Sequence, residues 1–416
     1  MRKEAEPSRV RFRTQGKRVR ALLYSRASLR GVPMSLLVRR RWPVFLAAQI
    51  LVIAPSLAHA QQPAPGGQTL SGQQIERVRA LIRETMEKHR APGATFSIGL
   101  EDKIIWAEGF GYADLENQVP AGPDTAYRTA SIGKAMTATA AMKLVEEHKL
   151  DLDIPIQKYC PSFPTKQWPI TARDLISNTS GIRHYGGPNE QAELFNTRHY
   201  DQVSDALEIF KNDPLQQQPG ADFMYSTWGY VTLGCVLEGA SGEEYRKLME
   251  RLIFAPAGMT HTRDDDPRAI IPGRARGYIV ENGELKNSRW VDMSSKMAGG
   301  GWITTAPDLV RYLNAYMAGR LVSATSMATM LEPYRLPRNG GTVDEYGMGW
   351  FVRDYRGMRA GFHGGGTPQV SGIVFFVPAK KLAIAGVFNV EEIPAADRTG
   401  LVKAIADLVL GAEAKN

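Results

Sequence analysis

The 416-residue chain is 43% hydrophobic and 23% charged, an ordinary globular composition that excludes a disordered chain and suffices for one large core or two small ones. Its formal charge of +8 is local, because residues 1–60 hold 13 Lys and Arg against 2 Glu and leave 38 basic and 41 acidic side chains beyond them. The basic balance therefore belongs to the leader and gives no reason to expect a nucleic-acid partner.

Arg39, Arg40 and Arg41 precede an apolar run from Trp42 to Leu57, and Ala58-His59-Ala60 follows as a small-x-small site. These are the three parts of a secretory signal cleaved after Ala60, so residues 1–60 are read as a leader and the protein as periplasmic or secreted. The run is short and broken by Pro55, so membrane contact is expected only through the uncleaved signal. Counted from Met34 the signal is 27 residues long, within the usual span of about 15–30, and translation is expected to begin there. Export would place Cys160 and Cys235, 75 positions apart, in an oxidising compartment. Neither has CxxC or zinc spacing and Cys235 lies in an apolar stretch, so it is read as a small buried hydrophobe and no essential disulfide is expected.

Residues 61–72, rich in Pro, Gly and Gln, read as a linker. Ile75, Val78, Leu81, Ile82 and Met86 then form a helical stripe over 73–89, ending before Pro92-Gly93. Segments 94–100 and 104–112 read as two strands about a tight turn, and 348–353, 358–363, 371–377 and 382–390 as further strands. A closing helix covers 395–410. The first and last segments thus build one antiparallel sheet flanked by N- and C-terminal helices, while about 131–340 is a mostly helical subdomain. The fold class is α+β within one domain over 73–412, because the elements do not alternate as βαβ units.

Three segments carry chemistry. In Ser131-Ile132-Gly133-Lys134, at the head of a helix, Ser131 and Lys134 lie one turn apart on the same face. A serine hydroxyl becomes a useful nucleophile when its proton is removed, and a lysine amine removes it when desolvation lowers its pKa. Positive potential at the helix start also suits an anionic intermediate. The second segment is Pro219–Thr227, where Tyr225 can relay a proton to a leaving group. The third is His363-Gly364-Gly365-Gly366, whose glycines let a substrate backbone approach a strand end.

Ser131–Lys134, Tyr225–Thr227 and His363–Gly365 resemble, in order and spacing, the S-x-x-K, Y-x-N and K/H-x-G elements of class C β-lactamases, DD-peptidases and related esterases. Segments 170–182 and 298–305 look like the same superfamily, and 112–120, 149–155, 180–185 and 225–227 are similar to its LACTB-like serine-protease branch. The resemblance covers roughly 75–410 and implies a five-stranded antiparallel sheet of the β-lactamase/transpeptidase type. It further implies a Ser131 acyl-enzyme, acid–base duty shared by Lys134 and Tyr225, and an oxyanion hole from the N–H groups of Ser131 and Gly366. Gly365, His363 and Thr227 then line the substrate. Mitochondrial members of that branch form filaments, which leaves filament formation open for this chain and its oligomeric state unassigned. Thr227 replaces the usual Asn and His363 the frequent Lys, so peptide or ester hydrolysis is favoured over a true β-lactamase or DD-peptidase activity. Asn178 replaces the His common in its segment.

Other chemistries fit less well. There is no G-x-S-x-G turn, and His184 and His199 lack a recognisable partner serine. Neither H-E-x-x-H nor a Cys/His cluster is present, Asp264-Asp265-Asp266 reads as a solvated loop, and no metal or cofactor is expected. The Gly-rich runs lack the Lys and strand–helix context of a phosphate loop. A non-catalytic peptidoglycan-binding or filament-forming scaffold is the competing class, and the intact Ser131, Lys134 and Tyr225 argue against it.

Overall fold

The computed structural model describes residues 69–186, 189–334 and 345–411, with the backbone of 337–338 and 341–342. The leader, Met34, the Ala60 site and most of the linker lie outside the described residues. The fold belongs to the unit spanning Ala64–Asn416.

The first helix, Gly72–His89, starts where Ser71 and Gln74 exchange reciprocal side-chain-to-backbone bonds, a capping box that satisfies two free N–H groups. Its stripe buries Val78 and Ile82 with Leu401, Val402 and Ile405 of the terminal helix, Ala395–Val409. Both terminal helices cover one face of an antiparallel sheet. Its strand order is Phe351–Tyr355, Met358–Thr367, Val370–Val377, Leu382–Phe388, Gly93–Leu100, Lys103–Asp114 and Val119–Pro120. The sheet therefore has seven strands where five were expected. The additional pairings are short edge ones, and Val119–Pro120, at two residues, is too brief to show a period.

Alternation along the central strands divides the core in two. Ile373, Phe375, Ile384 and Phe388 point toward the terminal helices, whereas Val374, Phe376, Ala385 and Val387 point toward the helical subdomain. With both faces covered, Val370–Val377 and Leu382–Phe388 are buried throughout. The strand expected over 348–353 runs instead over Phe351–Tyr355, because Gly349 at φ +81° turns the chain just before it, where a Cβ would stand 2.3 Å from Ala138.

The helical subdomain centres on Ile132–Glu146. Twelve of its fifteen residues are buried, so it is apolar all round and is a core helix with neighbours on every side. Beside it lies Thr227–Ser241, and the two short strands Tyr127–Arg128 and Trp302–Thr304 pair at its foot.

Two expectations are corrected here. Cys160 and Cys235 form a disulfide with Cα atoms 5.5 Å apart, tying the Thr227–Ser241 helix to the loop before Ser162. Cys235 is buried as expected, but as half of a bridge whose partner is remote in sequence and invisible to local spacing. Asp264-Asp265-Asp266 is not simply a solvated loop either. Asp265 is 3% exposed and takes a 2.6 Å bond from Arg128 Nε. Arg128 also donates to the carbonyls of Pro368 at 3.1 Å and Val291 at 3.0 Å, so one buried guanidinium ties three loops together.

Candidate active site

Ser131 sits at the junction of strand and helix. Thr129 N–H donates to Trp302 O at 2.8 Å, and the next bonds run from Ile132 to Thr129 O, Gly133 to Ala130 O and Lys134 to Ser131 O. These are i to i+3 bonds, a tight first turn in which side chains three apart eclipse. That brings Lys134 Nζ to 3.1 Å from Ser131 Oγ. Ala130, just before the serine, has φ +44°, a left-handed conformation that costs a non-glycine residue about 1–3 kcal/mol. Packing enforces it: a Cβ on Gly300 would stand 1.9 Å from Ala130 O, and one on Gly365 would stand 2.5 Å from Thr129 O. Only glycines allow this approach, which gives Gly300 and Gly365 a structural reason beyond a flexible turn.

Lys134 is fully buried. Besides Ser131 its Nζ reaches Thr227 Oγ1 and Gly299 O, both at 3.0 Å, and stands 4.8 Å from the centre of the Tyr225 ring. No carboxylate among the described residues pairs with it, and burial lowers its pKa to about 7. Thr227 is thus turned toward the lysine as a hydrogen-bond partner. Tyr225 is half-buried, and desolvation raises its phenol above the ordinary value, partly offset by the Ser131 hydroxyl beside it.

The Tyr225 loop is held by Asn178 from both sides. Met224 N–H donates to Asn178 O at 2.7 Å, and Ser226 N–H to Asn178 Oδ1 at 3.0 Å. Asn178 has φ +58°, a conformation that Asn tolerates better than most residues. The Asn178→Gly variant keeps that backbone freedom and removes the acceptor. It is expected to lower kcat by about ten- to a hundredfold through misplacement of Tyr225, with KM changed less than about threefold, as steady-state kinetics would show. Ser226 also caps the Thr227–Ser241 helix, accepting from Gly229 N–H at 2.9 Å and donating to Arg183 O at 2.7 Å.

His363, 1% exposed, faces the rings of Tyr225, Tyr346 and Phe351. Burial, then Lys134, hold its pKa down to about 3, so the ring is neutral. Its Nδ1 lies 2.7 Å from Gly364 O, and a carbonyl only accepts, so the proton is on Nδ1 and the buried Nε2 is a bare acceptor with no partner among the described residues. This goes further than a weak partner for a carboxylate: a lone pair repels one. Ser131, Tyr225, His363 and Gly366 share a cavity of about 760 Å³ with Phe362 and Arg398. Arg398 Nη1 donates to the carbonyls of Gly365 and Gly372, which fixes the glycine strand to the terminal helix. Gly366 is exposed, with nothing within 4 Å of where a Cβ would lie.

The sequence-predicted residues Ser131, Lys134, Tyr225, Thr227, His363, Gly365 and Gly366 all gather at this one place. Arg128, Arg398 and Lys296 were not singled out, and Asn178 only as a departure from the family pattern, because their roles arise from contacts far apart in sequence. His184 was set aside, yet it lines a second pocket beside Ser131. Its Nδ1 accepts from Thr227 N–H at 3.2 Å, and among the described residues no carboxylate bonds to it, so the described residues form no Ser-His-Asp relay there. His199 is bonded to Asp292 at 2.8 Å and lines neither pocket.

Residues 78–407 match the Beta-lactamase family model. The mitochondrial serine beta-lactamase-like protein LACTB of Homo sapiens is 34% identical over 325 residues, covering 62% of this chain and 59% of that protein. This chain therefore spans under two thirds of that relative's length. Penicillin-binding protein 4* of Bacillus subtilis is 29% identical over 313 residues, covering 71% of this chain and 67% of that one. Among solved structures, the octameric penicillin-binding protein homologue from Pyrococcus abyssi superposes with a TM-score of 0.70 at 28% identity, over 81% of this chain and 77% of that one. A D-stereospecific amidohydrolase from Streptomyces sp. shares the fold, with a TM-score of 0.68 at 24% identity over 82% and 99% of the two chains. The sheet, the helical subdomain and the family model spanning nearly all of both agree, and the chain belongs to the beta-lactamase family of serine hydrolases.

Proposed function

We propose that the protein hydrolyses ester or amide bonds, peptides included, through an acyl-enzyme on Ser131, with Lys134 as general base and Tyr225 as proton carrier. The environment of Lys134 carries this reading. A neutral amine has two N–H donors and one lone pair. Gly299 O can only accept and Thr227 Oγ1 accepts here, so both N–H bonds are directed there and the lone pair is left for the Ser131 proton at 3.1 Å. With a pKa of about 7, about half of the amine is free at neutral pH, and it is strong enough to take that proton. The Tyr225 phenol, held above its ordinary value, stays protonated and suits delivery to the leaving group.

Ser131 Oγ attacks the substrate carbonyl carbon, and its proton passes to Lys134. The N–H groups of Ser131 and Gly366 are assigned to the resulting oxyanion; both residues border both pockets, and Gly366 is open to an approaching carbonyl. Collapse breaks the bond to the leaving group, which takes the proton through Tyr225. Water then attacks the acyl carbon, returns a proton through the same pair and releases the acid with Ser131 restored.

The substrate reading rests on Thr227 and His363. Thr227 has no side-chain amide to offer and its Oγ1 accepts from Lys134, while His363 presents an acceptor, so the site lacks two donors that would favour a β-lactam. A panel of p-nitrophenyl esters, D-Ala-D-Ala peptides, L-peptides and nitrocefin is expected to give a kcat/KM for the best ester or peptide at least about tenfold above nitrocefin. Nitrocefin as the best substrate would contradict the assignment. Export, with cleavage after Ala60, is proposed on the leader sequence. The Cys160–Cys235 disulfide supports it, since such bridges persist in oxidising compartments.

A further inference from the structure

Ser131 borders a second, narrower pocket of about 40 Å³, lined also by His184, Tyr185, Thr227 and Lys296. Lys296 is 2% exposed. Among the described residues its amine donates to one protein oxygen, Leu194 O at 2.7 Å, and stands 5.4 Å from the centre of the Tyr185 ring. An ammonium has three N–H donors, so its capacity is far from used. The nearby carboxylates are committed elsewhere. Glu193 takes bonds from Arg183 at 2.7 and 2.8 Å and from Trp228 at 3.2 Å, and Asp292 is bonded to His199 at 2.8 Å. Among the described residues none forms an ion pair with Lys296.

His184 adds a second donor. Because its Nδ1 accepts from Thr227 N–H and its ring is held neutral, its remaining proton is on Nε2, which has no partner among the described residues. A cation and an imidazole N–H thus line a pocket that holds no carboxylate and has room for little more than a small planar group. Burial, and then the Arg128 charge, lower the Lys296 pKa to about 7, so the amine is partly neutral in the empty pocket and an anion bound there would favour its charged form.

We propose that this pocket binds a carboxylate carried by the substrate beside its scissile carbonyl, with Lys296 and His184 as its ligands. The substrate class is then an ester or amide whose acyl part ends in a carboxylate. The assignment rests on Ser131 acting as the nucleophile.

Two ethyl 4-nitrophenyl phosphonates, one with a 3-carboxypropyl arm and one with a butyl arm, separate the two claims. Each transfers its phosphonyl group to Ser131 Oγ with release of 4-nitrophenolate, whose burst gives the rate. The wild-type chain is expected to react at least about tenfold faster with the carboxylate arm. Lys296→Met and Lys296→Gln reduce that preference to within about twofold, Lys296→Arg retains part of it, and Lys403→Met, in the larger cavity, leaves it in place. Equal wild-type rates, or a preference that survives loss of Lys296 or depends on Lys403, would overturn the proposal and leave the Ser131 nucleophile standing. Should neither probe react with wild-type protein, the nucleophile assignment itself falls, and this inference with it.

Discussion

Replacing Ser131 with alanine is expected to lower kcat/KM by at least about 10⁴-fold while the protein remains folded. In the proposed mechanism the reaction loses the atom that forms the acyl bond, and neither Lys134 nor Tyr225 substitutes for it. The fold changes little, because the Ser131 side chain makes no capping bond to its helix. What Ser131→Ala removes are the contacts with Tyr225 and with Lys134 Nζ, and Lys134 keeps its bonds to Thr227 and Gly299. Circular dichroism and a urea midpoint close to wild type would accompany the lost rate. A variant that is inactive because it is unfolded would show neither.

Lys134→Met is expected to cost about 10²–10⁴-fold in kcat/KM, the usual worth of a positioned general base. Methionine fills a similar volume, so the core helix is expected to survive. The wild-type pH profile follows from the same group. Below about pH 7 Lys134 binds a proton and has no lone pair for Ser131, so kcat/KM falls about tenfold per pH unit as the solution is made more acid; above about pH 7 it levels off. In the Lys134→Met variant this acid limb disappears. A loss below about tenfold, with the limb retained, would transfer the base role to Tyr225.

What could be read from the chain depended on how local its cause was. Ser131 and Lys134 were legible because one helical turn sets their spacing, and the tight first turn only sharpened it. Tyr225 and His363–Gly366 were legible as motifs, though their convergence on Ser131 required the sheet and two helices to assemble. The Cys160–Cys235 bridge was missed because a 75-residue separation carries no local signature. Asp265 was misread because a run of three acids looks solvated until Arg128, 137 positions earlier, is seen beside it. Asn178 was noted as a departure, and its function as the clamp on the Tyr225 loop came only from contacts 46 to 48 positions away. Lys296 and His184 were hidden for the same reason: a single buried Lys or His has no pattern in sequence.

The most direct test of the account is the mass of the intact protein after reaction with a fluorophosphonate, followed by peptide mapping. One adduct per chain is predicted, located on Ser131, forming more slowly as the pH falls below about 7 and absent from Ser131→Ala. An unmodified Ser131 in folded protein, or an adduct on another residue that persists in the Ser131→Ala variant, would contradict it.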